Sequence, residues 1–228
     1  MYSIFKDISE ENKSEAIDTL IKESTGKSSF YFLVILSVLM ATYGLILNNT
    51  SVIIGSMLIA PILSPILSAA LGISLSDGKL IQRSSFTLLR SMIYSIGIAM
   101  LATFLMWNTT GTDTFQTFYN PEIISRTEAS FTYFMIAIIS GLATTFARVK
   151  PSLNDALPGT AIAVALVPPL ATIGIGIATL NITITVGAFL MFSLNTLGIM
   201  VASLFMFSIM KIYKKKDIVE KAIEEADL

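Results

Sequence analysis

Six long apolar runs constrain this chain more than any other feature. They cover residues 29–47, 51–73, 91–107, 131–147, 157–180 and 184–210. A hydrocarbon core about 30 Å thick is crossed by roughly 20 apolar residues in helical form. Only helices and closed barrels satisfy their own backbone groups in that medium. The expected fold class is therefore an all-α membrane protein with six transmembrane helices. The composition agrees: with 54% hydrophobic and only 14% charged residues, a soluble domain of 228 residues could not cover its apolar surface. The polar stretch 1–27 does not read as a secretory signal, so the first run is expected to stay as a span.

The basic residues set the expected direction. With the amino terminus inside, segments 1–28, 74–90, 148–156 and 211–228 hold 14 of the 15 lysines and arginines, and Arg126 alone falls outside. An excess of Lys and Arg in short loops marks the cytoplasmic side. Both termini are thus expected to be cytoplasmic. The chain divides into a 1–28 amino-terminal segment, a 29–210 membrane domain and a 211–228 carboxy-terminal segment. Trp107 stands at an expected outer boundary, where interfacial aromatics belong. Asn49, Asn108 and Asn181 each open an Asn-x-Ser/Thr triplet on the expected outer side, a pattern that chance supplies readily. Ala16, Ile17, Leu20 and Ile21 share one helical face, as do Ile218, Val219, Ala222 and Ile223. Short helices lying on the membrane or on each other are the expectation there.

The second and fifth runs carry prolines where a spanning helix should be regular. The second contains Gly55, Ser56, Pro61, Ser64 and Pro65; the fifth contains Gly159, Thr160, Pro168 and Pro169. In each, a proline follows the glycine by ten positions, and Pro65 and Pro169 are 104 residues apart. Proline removes a donor and displaces the carbonyl one turn earlier. Backbone groups freed at membrane depth are tolerated only against protein or beside a water-filled cavity. Small and hydroxyl residues surround both breaks. Because the two runs hold corresponding places in halves that start on opposite sides, the pattern predicts a 3+3 inverted repeat with two proline-broken helices. Paired broken helices of that kind point to a secondary-transporter site near the bilayer midplane. Two independent structural kinks are the alternative.

The stretches 52–66 and 157–170, with the Ala-Val-Ala-Leu-Val-Pro-Pro run at 163–169, resemble the domain of unknown function 389 family of prokaryotic membrane proteins. The resemblance covers about 29–210, and Asn195 falls where that family tends to carry Asn. It implies an integral protein of a prokaryotic plasma membrane and names no activity. Many members carry a larger amino-terminal soluble region than the short segment found here.

The expected substrate-binding positions are Ser56, Pro61, Ser64, Pro65, Thr160, Pro168, Pro169 and Asn195. Asn154 and Asp155 are expected to cap the fifth helix or to gate it. No His or Cys occurs, and no charged residue lies deep in a run. That argues against nucleophilic catalysis, Cys/His metal sites and carboxylate proton relays. The expectation is a non-enzyme with no catalytic residue, no metal and no cofactor. The expected class becomes a transporter of an unidentified small solute or ion; a channel and a non-transporting scaffold or sensor are the competing readings. The expected partners are the lipid bilayer and further copies of the chain, because Ser/Ala/Gly faces on the second, third and sixth runs favour close helix association. A dimer is the default. No nucleic acid is expected.

Overall fold

In a computed structural model, residues 9–110, 118–150, 152–153, 159 and 165–212 are described, with backbone alone at 108–110. Among the described residues the chain is helical, without strands. The helices are α1 (Glu10–Glu23), α2 (Ser28–Ile46), α3 (Thr50–Ile59), α4 (Leu63–Leu75), α5 (Gly78–Thr110), α6 (Pro121–Ser125), α7 (Phe131–Val149), α8 (Val167–Ala178) and α9 (Ile182–Ile209).

Four of them, α2, α5, α7 and α9, are long and apolar enough to cross a membrane. The pair α3 and α4 makes a fifth candidate, bent by 49°. The six expected crossings thus come out as four or five, because α8 alone has only 12 residues. The stretch that would extend α8 lies mostly at 160–164, outside the described residues. The third run was expected over 91–107 after a loop, yet α5 begins at Gly78 and runs for 33 residues, about 50 Å at 1.5 Å per residue. Nothing in Gly78–Arg90 breaks a helix. Leu80, Ser84 and Thr87 are buried at helical spacing, so the polar start of α5 packs although it is too polar for hydrocarbon. Large apolar side chains on the outer faces of α5 and α9, such as Phe104, Leu105, Leu190 and Phe205, are more than half exposed, as lipid contact requires.

Three tight connections share one design. α2 ends with Asn48 in the left-handed region (φ 53°), α4 with Ser76 (φ 53°) and α8 with Leu180 (φ 54°). In each, the next backbone N–H returns to a glycine carbonyl: Asn49 to Gly44 at 2.8 Å, Asp77 to Gly72 at 2.9 Å, Asn181 to Gly176 at 2.8 Å. That closure satisfies carbonyls the helix end would leave open. The same Asn49, Asp77 and Asn181 then cap the following helix, accepting from Val52 (3.2 Å), Leu80 (2.9 Å) and Ile184 (3.1 Å). The glycines are required by close approach. A Cβ there would meet the backbone nitrogen of Ile53, Ile81 or Thr185 at 3.1, 3.0 or 2.8 Å.

Helix boundaries recur at a nearly fixed offset. α4 starts at Leu63 and α8 at Val167, α5 at Gly78 and α9 at Ile182, each pair 104 residues apart. α2 and α7 have 19 residues each and start 103 apart, at Ser28 and Phe131. Three packing pairs correspond as well: α4 on α5 with α8 on α9, α4 on α9 with α8 on α5, α2 on α5 with α7 on α9, whereas α2 packs on α8 without a comparable contact of α7 on α4.

Small residues set the closest helix crossings. On α7 and α9, a Cβ at Gly141 would sit 2.9 Å from that of Ala202, and one at Gly198 2.8 Å from that of Ala137. Thr145 Oγ1 and Ser203 Oγ lie 2.9 Å apart in the same seam. The small face of the sixth run is thereby used inside the chain.

Candidate functional site

The first break lies between α3 and α4. Ala60, before Pro61, leaves the helix with ψ 122°, the extended conformation that a following proline imposes. Pro61 and Ile62 form a turn, and the Ser64 N–H reaches the Pro61 carbonyl at 3.3 Å. Pro65 then stands in the first turn of α4, where a missing N–H costs no helical bond. The prolines therefore start a second half-helix instead of bending one long helix. Ser64 and Pro65 are buried; Pro61 is half-buried. Ser56 lies one turn before the break. Its hydroxyl donates to the Ile53 carbonyl at 2.6 Å, and its own carbonyl accepts from Ser37 at 2.6 Å, which ties α3 to α2.

At the second expected break, the described residues show the start of α8. Ala165 has φ 43°, a conformation that costs a residue with a Cβ about 1–2 kcal/mol. Val167, Pro168 and Pro169 make the first turn of α8, and all three are buried. A helix start has unpaired N–H groups, and two consecutive prolines remove two of them, so this end can be buried at lower cost. Asn195 on α9, 3% exposed, donates from Nδ2 to the Ala165 carbonyl at 3.4 Å. It thus serves a carbonyl freed by the break. Thr172, one turn into α8, is fully buried, and its hydroxyl has no partner among the described residues. Thr160, Asn154 and Asp155 lie outside the described residues.

The structure brings Asn195 to the second break and places Ser64 in a different set of contacts. Helix α9 links the two regions, since it packs on both α4 and α8. At Ser64 there is a charged cluster. The Ser64 hydroxyl donates to Glu23 Oε2 at 2.8 Å, and Arg148 Nη2 lies 3.3 Å from Ser64 Oγ. Arg148 grips the Glu23 carboxylate at 2.6 Å and 3.0 Å. Glu23 ends α1, whose Ala16, Ile17, Leu20 and Ile21 are buried. Helix α1 packs on α4 and α7. The carboxy-terminal counterpart, 218–223, lies outside the described residues.

Other polar positions resolve into structure. Asn49 and Asn181, noted for their triplets, are helix caps. Near Asn49, Glu122 on α6 accepts from Thr50 and pairs with Arg126 at 3.2 Å, and the Glu122 N–H donates to Asn48 Oδ1 at 3.3 Å. Asn120 Nδ2 donates to the Leu45 carbonyl at 2.8 Å. Trp107 stacks on Phe118, ring centroids 5.7 Å apart, beside an open cleft of about 340 Å³ whose opposite wall is the α8–α9 turn. Sequence reasoning passed over Glu23, because no pattern links it to Arg148. It passed over Thr172 as a site residue, although Thr172 is 104 positions from Ser68.

Comparison with known proteins adds a family. A family model described as a domain of unknown function (DUF389) matches residues 57–201, which include α4, α8 and the breaks before them. An uncharacterized protein of Methanocaldococcus jannaschii is 29% identical over 211 residues, covering 88% of this chain and 63% of that protein. The chain therefore spans less than two thirds of that relative's length. No solved structure matches.

Proposed function

Since this chain belongs to the DUF389 family, whose description carries no activity, we propose from its geometry that it is a membrane transporter of a small solute or ion. Its site would lie at the two helix breaks, between halves related as an inverted repeat. One observation carries the reading. Two half-helices, α4 and α8, begin 104 residues apart with prolines in their first turns and both starts buried. A protein with only a structural role has no need to keep interrupted backbone inside a membrane bundle. The matching helix boundaries, turns and packing pairs support the repeat. The distribution of basic residues supports a cytoplasmic amino terminus and the opposite orientation of the two halves.

In this reading the solute meets the half-helix starts, the hydroxyls of Ser64 and Thr172, and Asn195. Thr172 contributes a buried hydroxyl with no partner among the described residues, and burying such a group unpaired costs about 1–3 kcal/mol. Rocking of one half against the other would expose the site to each side in turn. No step requires a nucleophile, so the proposal is of a non-enzyme.

The test exploits the absence of native cysteine. Thr172→Cys and Ser64→Cys are introduced singly and labelled with a membrane-impermeant maleimide from each face, with Val38→Cys and Ala188→Cys as fully buried controls. Labelling of Thr172→Cys from both faces, with dark controls, is expected. A folded protein that labels at neither break site would refute the transport reading and favour a scaffold.

A further inference from the structure

Helix α1 is seated where the first break would open. Its last residues hold that position with polar contacts. Glu23 bridges Arg148 and Ser64. Ser24 Oγ lies 3.0 Å from Ser68 Oγ, one turn further along α4. Arg83 Nη2 donates to Thr25 Oγ1 at 2.9 Å. These residues come from α4, α5 and α7, so α1 ties both halves of the molecule together at one end. Its opposite face, with Glu11, Glu15 and Lys22, is exposed.

The other end of the bundle has a smaller counterpart. α6 precedes α7 as α1 precedes α2, separated by residues 126–130 and 24–27 respectively. α1 packs on α7, and α6 packs on α2. After α1, Thr25 meets Arg83 of α5; after α6, the Thr127 carbonyl would be 2.5 Å from a Cβ on Gly187 of α9, 104 positions beyond Arg83. Each half thus begins with a short helix that reaches the other half.

From this placement we infer that α1 is a gate over the α4 break, with the Glu23–Arg148–Ser64 cluster as its latch. The inference rests on the transport reading of that break. The chemistry suits a switch. α1 is amphipathic: off the bundle, its apolar face can lie in the membrane interface, as such helices do. The apolar burial is then similar in both positions, and the polar contacts decide between them. The exposed Gly26 and Lys27 form the connector about which α1 and its two following residues turn.

Two measurements test the latch and the gate separately. For the latch, Ile17→Cys, on the buried face of α1, is labelled with impermeant maleimide in inside-out vesicles. Slow labelling is expected in the parent background, rising about tenfold with Glu23→Gln or Arg148→Gln. Combining the two should add little, and Arg148→Lys, which keeps the charge but not the two-pronged grip, should retain part of the protection. Rapid labelling in the parent, or no change with either variant, would overturn the latch. For the gate, Ser24→Cys and Ser68→Cys are joined as a disulfide in a chain that also carries Thr172→Cys, and the pairing and the labelled position are both read by peptide mass. The disulfide should abolish labelling of Thr172→Cys from the cytoplasmic face, and reduction should restore it. Unchanged labelling with the disulfide formed would overturn the gate. If Thr172→Cys never labels even when reduced, the transport reading fails and the gate falls with it, while the Ile17→Cys rates still judge the latch.

Discussion

Substituting Gly174 by alanine tests the packing at the heart of the structure. A Cβ at this position on α8 would lie 2.5 Å from the Ala99 Cβ, 2.7 Å from the Ile96 carbonyl oxygen and 2.9 Å from the Met100 nitrogen, all on α5. Two of those three atoms are backbone and cannot turn aside. Normal carbon–carbon contact needs about 3.5–4.0 Å, so α8 and α5 must separate by roughly an ångström. Overpacking of this kind costs about 1–3 kcal/mol, and three contacts under 3 Å, two of them to backbone, place this site at about 2–3 kcal/mol. Alanine recovers up to about 1 kcal/mol through its better helix propensity. The net expectation is a loss of about 1–2 kcal/mol, or roughly 2–8 °C in Tm for a chain of this size. Ala99→Gly in the same chain removes only one of the three contacts, so it should rescue partially. Thermal unfolding in mild detergent, followed by the fluorescence of Trp107 on α5, reads the effect. A Gly174→Ala protein that is as stable as the parent, or more stable, would refute the close approach of α8 to α5.

Two further outcomes follow from named contacts. Leu180 is 92% exposed with φ 54°, so Leu180→Gly should relieve about 1 kcal/mol of backbone strain and raise Tm by about 2–4 °C in the same assay. Across the α7–α9 seam, a double-mutant cycle of Thr145→Val and Ser203→Ala should give a coupling of about 0.6 kcal/mol, the usual size for hydrogen bonds between membrane helices; a coupling near zero would mean that each hydroxyl serves only its own helix.

What the sequence revealed and what it hid have physical reasons. Prolines act locally, through a missing donor and a steric clash, so the break at Pro61 and Pro65 and the helix start at Pro168 and Pro169 were legible from residue type alone. The length of α5 was not, because a search for apolar runs ends where polarity begins, whereas a helix ends where its backbone bonds do. The three turns carry a local signal, a glycine five residues before an Asn or Asp cap, yet Asn49 and Asn181 first attract notice for another triplet. The meeting of Glu23 with Arg148 spans 125 residues and follows from how α1 folds back, which no local pattern encodes. Asn195 lay between these cases: its burial was foreseeable, and its partner at Ala165 was not.

The relation between the halves is most directly tested at the two turns that occupy equivalent places. Ser76 closes α4 and Leu180 closes α8, 104 residues apart, both exposed and both in the left-handed conformation. Each is replaced singly by cysteine and labelled with impermeant maleimide in sealed right-side-out and inside-out vesicles. An inverted repeat predicts that Ser76→Cys labels only from the cytoplasmic face and Leu180→Cys only from the outer face. Labelling of both from the same face would contradict it, and with it the opposed halves on which the proposed transport site depends.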